Sequence, residues 1–193
     1  MIIGLAGYAG SGKDTLGRAL VTAYGFERIA FADKVKELAL KIDPTICDNE
    51  TFSDGVDVPL SWVVEREGWE TAKRSPQVRE LLQRIGASVR DTIDPDAWLD
   101  AATRDMLYGK NYVITDVRYP NEVEYVRDMG GVIWWVKRDG IGPVNSHESE
   151  NSISPSDADL IVDNTENPGS LGYLELHCHD IVSAALNESS NYG

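Results

Sequence analysis

The chain has 193 residues, long enough for one substantial core and too short for two large domains. Lys and Arg total 18 against 32 Asp and Glu, a formal charge of −14 that opposes sequence-independent binding to a nucleic-acid backbone. No stretch reaches the roughly 20 apolar residues of a membrane span, the start MIIGLAGYAG lacks the basic residues of a signal peptide, and Cys47 and Cys178 show no metal or redox spacing, so two reduced thiols in a cytoplasmic protein without membrane or nucleic-acid partners are expected.

The first element is a short apolar strand over residues 1–6, followed at once by a Gly-rich turn over residues 7–12. A helix follows with Leu16, Ala19, Leu20 and Ala23 on one face and Gly25 as its cap. Residues 26–31 read as a second strand, which completes a strand–helix–strand unit. Asp33 is expected to cap a helix carrying Val35, Leu38, Ala39 and Ile42, ended by Pro44. Residues 45–59 are polar and turn-rich. Ser75-Pro76 and Asp94-Pro95 each read as a helix start, the first leading to Val78, Leu81, Leu82 and Ile85, the second to Trp98, Ala101 and Ala102. Residues 112–116 form a buried strand, Pro120 opens a helix closed by Gly130-Gly131, and residues 132–137 form another strand. Residues 139–157 are a polar loop, 160–162 a last strand, 171–186 a last helix, and 187–193 a polar tail. Five strands alternating with helices predict an α/β protein with a parallel, doubly wound sheet, whose ligands bind at the carboxyl ends of the strands.

The strongest motif is Gly7-Tyr8-Ala9-Gly10-Ser11-Gly12-Lys13-Asp14-Thr15, which has P-loop spacing between a strand and a helix. Glycines allow a turn tight enough for successive N–H groups to face one concavity, and the helix start adds its positive dipole end. Lys13 adds a full charge for the β- and γ-phosphates of a nucleotide. Such a loop captures a triphosphate on an acidic protein. The residue after Lys13 is Asp14, where a Ser or Thr usually ligates Mg²⁺, and the hydroxyl comes one place later at Thr15. Thr15 is therefore the metal or phosphate candidate, with Asp14 as a holder of metal-bound water. The strand Val113-Ile114-Thr115-Asp116 ends in a carboxylate placed to orient Mg²⁺ beside such a loop. Arg118, Arg79, Arg84 and Arg90 are the basic candidates for a second phosphate, with Arg79, Gln83 and Arg90 on roughly one helix face and Arg84 off it. His147-Glu148-Ser149-Glu150 reads first as a surface segment. Asp163-Asn164 ends the last strand, where the loop reaches toward an adenine. The five tryptophans are core candidates, with Trp62 and Trp69 as alternatives for base stacking.

The blocks GYAGSGKDT, FADKVKELA, LLQRIGASVRDTIDPDAW, VITDVRYPNEVEYVRDMGG, HESE and DLIVDN resemble, in order and over nearly the whole chain, the deoxynucleoside monophosphate kinases known mainly from bacteriophages. The GKDT form of the loop is itself similar to that group. The resemblance implies an adenylate-kinase-like architecture: five parallel strands in the order 2-3-1-4-5 with helices on both faces, a helical acceptor-binding insert and a lid. Residues 1–32 and 108–193 would be the core, 139–157 the lid loop, and 33–107 the insert, in a single compact unit. It implies that Gly10, Ser11, Gly12, Lys13, Asp14 and Thr15 hold the phosphates of ATP, with Arg138 and Asn164 also on the ATP side. Asp33, Lys34, Arg79, Gln83, Arg90 and Arg118 would serve the monophosphate acceptor, and Thr15 and Asp116 the Mg²⁺. Lys13, Arg118 and Arg90 would meet the charge of the transferring group. Residues 139–157 contain no Arg, so the lid charge expected by analogy with adenylate kinases falls to Arg138 and His147.

The expected activity is transfer of the ATP γ-phosphate to deoxynucleoside 5′-monophosphates, giving diphosphates for dNTP synthesis, in the cytoplasm of a bacterial host if the gene is a phage's. A homodimer is the first oligomer to expect. The rival readings are a P-loop kinase of the dephospho-coenzyme A or phosphomevalonate type and, in another class, a non-catalytic nucleotide-binding regulatory module. A GTPase is disfavoured because no NKxD motif occurs.

Overall fold

The structure is a computed structural model, and it describes residues 1–47, 56–142, 152–164, 179–180 and 182–184. Contacts divide the chain into two compact units, Met1–Ala30 with Asp105–Gly193, and Phe31–Arg104.

The first unit is built on a parallel sheet. Its strands are β1 (Ile2–Ala6), β2 (Glu27–Ile29), β5 (Tyr112–Ile114), β6 (Val132–Lys137) and β7 (Leu160–Asp163), and the short strands β3 and β4 belong to the second unit. The order across the sheet is β2-β5-β1-β6-β7, with every neighbouring pair parallel. Counted by these five strands alone this is 2-3-1-4-5, as expected. Every residue of central β1 is buried, which is why it reads as a continuous apolar run rather than an alternating one. Its alternate residues face opposite layers. Leu5 and Ile3 belong to a core with Leu16 and Leu20 of α1 (Lys13–Tyr24), Trp134, Val136 and Val182. A side chain at Gly4 would meet Ile133, Val117 and Val126, the last of them on α6 (Pro120–Asp128). Helices therefore cover both faces. Gly25 closes α1 in the left-handed conformation (φ 68°), its N–H donating to the Leu20 carbonyl. The strand predicted over residues 26–31 pairs only at Glu27–Ile29.

The second unit is helical: α2 (Phe31–Ile42), α3 (Leu60–Ala72), α4 (Pro76–Thr92) and α5 (Ala97–Thr103), with a two-residue antiparallel pairing of β3 (Thr45–Ile46) and β4 (Val58–Pro59). Ala39, Ile46, Leu60, Val63, Ala72 and Val78 form its core. Ser75 caps α4 as expected, its hydroxyl accepting from the Val78 N–H, with Pro76 at the first helical position. Two predicted starts shift. The second helix begins at Phe31, not at an Asp33 cap, because Phe31 is buried and the helix runs back to include it. The helix expected after Asp94-Pro95 begins at Ala97, and the Asp94 carboxylate instead accepts from the Asp96 N–H and closes a turn ahead of it. Helix α3 had no cap signal in its own sequence. Its first turn is held from outside by Asp43, a non-glycine residue at φ 47°, whose carboxylate accepts from the N–H and hydroxyl of Ser61 at 2.7 and 2.8 Å.

Within the loop predicted over residues 139–157, Pro155–Asp157 forms a single 3₁₀ turn. Residues 143–151, which include His147, Glu148, Ser149 and Glu150, lie outside the described residues, as do Cys178 and most of the helix predicted over 171–186, of which 179–180 and 182–184 are helical. Among the described residues no helix is long and apolar enough to cross a membrane.

Candidate active site

The carboxyl end of β1 runs straight into the loop of residues 7–12, and three glycines there take conformations that side chains disfavour: Gly7 at φ 130°, Gly10 at 80° and Gly12 at 110°. At Gly7 the requirement is also steric, since an added Cβ would lie 2.4 Å from the Val136 carbonyl oxygen. Gly12 is the N-cap of α1, so the turn delivers the chain into a helix N-terminus, where unbonded N–H groups and the helix dipole favour an anion. Lys13, the first residue of α1, is buried, and its ammonium donates back to the carbonyls of Gly7 and Tyr8, the latter at 2.8 Å. The Ser11 hydroxyl is buried with no hydrogen-bond partner among the described residues. A buried polar atom without a partner is costly in a native fold, and its place inside this loop is what a phosphate site provides for. Glycine conformations, Lys13 and the unpartnered hydroxyl together fit an oxyanion ligand.

Two side chains from the ends of neighbouring strands reach the same loop. Asn164, just beyond β7, donates its amide to the Ser11 carbonyl at 2.8 Å, and Arg138, just beyond β6, lies 3.5 Å from the Gly10 carbonyl. Tyr8 sets the edge of its ring against Trp135, with centroids 5.3 Å apart. Of the metal candidates, Thr15 lies half-buried in the first turn of α1 and Asp116 half-buried beyond the end of β5, the strand that pairs directly with β1. Asp14 is exposed. No group of three or more His, Cys, Asp or Glu capable of holding a metal occurs among the described residues. Hydroxyl and carboxylate oxygens suit Mg²⁺, which takes one or two protein ligands and completes its shell with phosphate oxygens and water. Thr15 and Asp116 fit that role.

Arg118 is half-buried, and its backbone is held by a device the sequence reading missed. The buried carboxylate of Glu122, in the first turn of α6, accepts from the N–H of Arg118 at 2.6 Å and of Tyr119 at 3.1 Å. The signal was available: Glu three residues after the residue preceding Pro120 is one half of a capping box, obscured because Tyr119 stands where Ser or Thr is usual.

In the helical unit the acceptor candidates lie on α2 and α4. Asp33 pairs with Lys36 at 2.8 Å, and Lys34 with Glu37 at 3.0 Å. Arg79 is exposed and donates to the Lys73 carbonyl, while Gln83 and Arg90 are half-buried. The Arg90 guanidinium lies along Gly86, a buried glycine whose carbonyl accepts from the Trp98 indole at 3.0 Å. Arg84 is exposed at a shallow cavity with Gln77, Leu81 and Ile46. Trp98, Trp134 and Trp135 are core, whereas Trp62 and Trp69 are half-buried, with Arg66 over the first ring and Lys36 over the second.

Comparison with known proteins decides the family. The sequence profile described as "Deoxynucleotide monophosphate kinase" matches residues 63–175. A protein of Acanthamoeba polyphaga mimivirus, named provisionally as a deoxynucleotide monophosphate kinase, is 30% identical over 186 residues, covering 86% of this chain and 90% of its own. The chain belongs to the deoxynucleotide monophosphate kinase family. It is thus a phosphotransferase, and the resemblance read from its motifs holds. The profile match begins at Val63, beyond the Gly-rich loop, so loop and match support the kinase assignment separately. Among solved structures, shikimate kinase from Aquifex aeolicus aligns over 100% of both chains at 13% identity and a TM-score of 0.46. Dephospho-CoA kinase from Campylobacter jejuni aligns over 94% of this chain and 95% of its own at 13% identity and a TM-score of 0.40.

Proposed function

We propose that this kinase transfers the γ-phosphate of ATP to deoxynucleoside 5′-monophosphates. The observation that carries the reading is the loop of residues 7–15, with three glycines at positive φ and Lys13 at the helix start, in a chain of this family. Phosphoryl transfer asks little covalent chemistry of the protein; positioning and charge do the work. The backbone N–H groups of Gly10 and of residues 12–15, with the Ser11 hydroxyl, bind the donor phosphates, and Lys13 exchanges its Gly7 and Tyr8 carbonyl partners for phosphate oxygens. Arg138 and Asn164 lie on the donor side. Mg²⁺ held through Thr15 and Asp116 would spread the charge of the phosphate oxygens. Arg118 and Arg90 balance charge on the transferring group and the acceptor phosphate, and Asp33, Lys34, Arg79 and Gln83 complete the acceptor's polar contacts.

The test is ADP release, coupled to a reporter, across the four deoxynucleoside and four ribonucleoside monophosphates at saturating ATP. Turnover on one or more deoxynucleotides, faster than on the ribose partner, is the expected result. A 2′-hydroxyl packed without a partner costs about 1–3 kcal/mol, or roughly five- to 150-fold in kcat/KM. Equal rates within every pair would move the acceptor to nucleoside monophosphates in general. Binding of ATP with no turnover on any of the eight would remove the proposal.

A further inference from the structure

The amide of Asn164 bonds a residue 153 positions away in the chain, and the place of that bond is informative. Asn164 is itself fixed, because its backbone N–H donates to the Lys137 carbonyl at 2.7 Å and ties it to the end of β6. From that anchored position its side chain donates to the Ser11 carbonyl at 2.8 Å. None of the described peptide bonds is cis. In a trans peptide the carbonyl of one residue and the N–H of the next point in opposite directions. Holding the Ser11 carbonyl toward Asn164 therefore turns the Gly12 N–H the other way, at the N-cap of α1, where the anion-binding end of the helix lies. The preceding peptide is treated in the same manner. The Gly10 carbonyl faces Arg138 at 3.5 Å, and the Ser11 N–H on its far side donates to the Tyr8 carbonyl at 3.2 Å. Gly10 and Gly12, at φ 80° and 110°, flank these planes and have no side chain to hinder their rotation. The Tyr8 carbonyl within the loop helps hold the first plane, and the bond from Asn164 holds the second from outside.

We propose that Asn164 is a positioning residue for the phosphate loop and not a reader of the adenine base: its amide holds the Ser11 carbonyl outward and so presents the Gly12 N–H to the bound phosphates. The proposal rests on the reading of residues 7–15 as the ATP phosphate site. It assigns Asn164 a role that is independent of the base, because the group it orients meets only oxyanion.

The experiment uses the full chain as wild type, Asn164→Ala and Asn164→Asp, titrated calorimetrically with ATP, GTP and inorganic tripolyphosphate, with thermal unfolding of each variant alongside. Loss of one orienting hydrogen bond should weaken ATP and tripolyphosphate alike, by about five- to tenfold for Asn164→Ala, and leave the ratio of ATP to GTP affinity at its wild-type value. Asn164→Asp keeps the volume, loses the donor and adds a negative charge at the loop, so it should bind both ligands more weakly still. It also carries the test if the alanine variant fails to fold. If Asn164→Ala weakens ATP, leaves tripolyphosphate unchanged and narrows the ATP-over-GTP preference, Asn164 reads the base and the proposal falls. Wild-type affinity for tripolyphosphate in Asn164→Asp would overturn it equally. A wild type that binds neither ATP nor tripolyphosphate would remove the phosphate site itself, a failure distinguishable from either of these because it appears without any substitution.

Discussion

The two units present their candidate groups in different ways. In the sheet unit, the loop of residues 7–12 offers backbone N–H groups, and three glycines at positive φ, a helix start and carbonyl contacts from Asn164 and Arg138 shape it. In the helical unit, Lys34, Arg79 and Arg90 are long side chains on α2 and α4, each with several rotatable bonds. Ordering a side chain of that length costs about 1.5–2 kcal/mol in rotamer entropy, whereas a backbone set during folding has already met that cost. If the proposed sites hold, the sheet unit should accept one ligand chemistry, and the helical unit contacts that substitution can retune without disturbing the fold. The variants below break or sharpen that contrast.

The largest effect on activity is expected at Lys13. Its ammonium is the one positive charge within residues 7–15, and Lys13→Ala should lower kcat/KM by at least ~100-fold, about 2.7 kcal/mol, as for removal of a group that meets transition-state charge. The fold should survive, because Lys13 is not part of the apolar core and its ammonium bonds the half-buried carbonyls of Gly7 and Tyr8. Steady-state kinetics with circular dichroism of the same sample checks both halves. A fall below tenfold would mean that the loop's backbone alone carries the phosphate.

Next come two glycines, one from each unit. Gly7→Ala forces a Cβ to 2.4 Å from the Val136 carbonyl oxygen at φ 130°, with the Ser11 hydroxyl at 3.1 Å, and should cost about 3 kcal/mol or more. Gly68 interrupts α3 at φ 74°, yet nothing lies within 4 Å of a Cβ added there. Gly68→Ala should cost about 1–2 kcal/mol, the backbone strain alone. Urea unfolding of both variants gives the comparison, and equal losses would erase the distinction between a steric and a purely conformational glycine.

Arg90→Ala and Arg118→Ala should raise the KM for the monophosphate about tenfold or more, while ATP affinity stays within about twofold, since each removes a charge-assisted bond to one phosphate. Arg118 sits on a backbone pinned by Glu122 and Arg90 does not, so lysine should substitute poorly at 118 and better at 90. Unchanged acceptor kinetics in both alanine variants would take Arg90 and Arg118 out of the acceptor site.

What could be read from the chain divides along the same line. The phosphate loop was legible because left-handed backbone admits little besides glycine, and the strand order because crossover helices allow few topologies. The cap at Ser75 was legible because donor and acceptor are three residues apart. Helix α3 was not. Gly68 breaks its pattern, and its N-terminal partner is Asp43, which lies before β3 and β4 in the sequence. Trp62 and Trp69 pointed to base stacking by residue type alone; Arg66 lies over Trp62 at an i,i+4 spacing open to reading once α3 is known, whereas Lys36 over Trp69 comes from another helix. The bond from Asn164 to Ser11 depends on folding the whole sheet, so no local pattern could announce it.

The smallest effect belongs to Glu37. Hydrogen bonds from Lys41 and then Lys34 hold its carboxyl down at about 2, against an ordinary 4.5. Because its pKa is lowered on folding, the associated stability is fully present above pH 4.5 and is lost as the pH falls through about 2. The pair is exposed on α2 and screened by solvent and salt, so Glu37→Gln should leave the thermal midpoint at pH 7 essentially where it was. Its use is as a probe of Lys34. If Lys34 serves the acceptor phosphate, freeing it from Glu37 should lower the monophosphate KM slightly, by about two- to threefold at low salt, with the difference fading as ionic strength rises and the Debye length shrinks to about 10 Å or less. A drop that persists at high salt would mean a directional bond rather than a field effect. An unchanged KM at every salt concentration would take Lys34 out of the acceptor site and leave that phosphate to arginines alone.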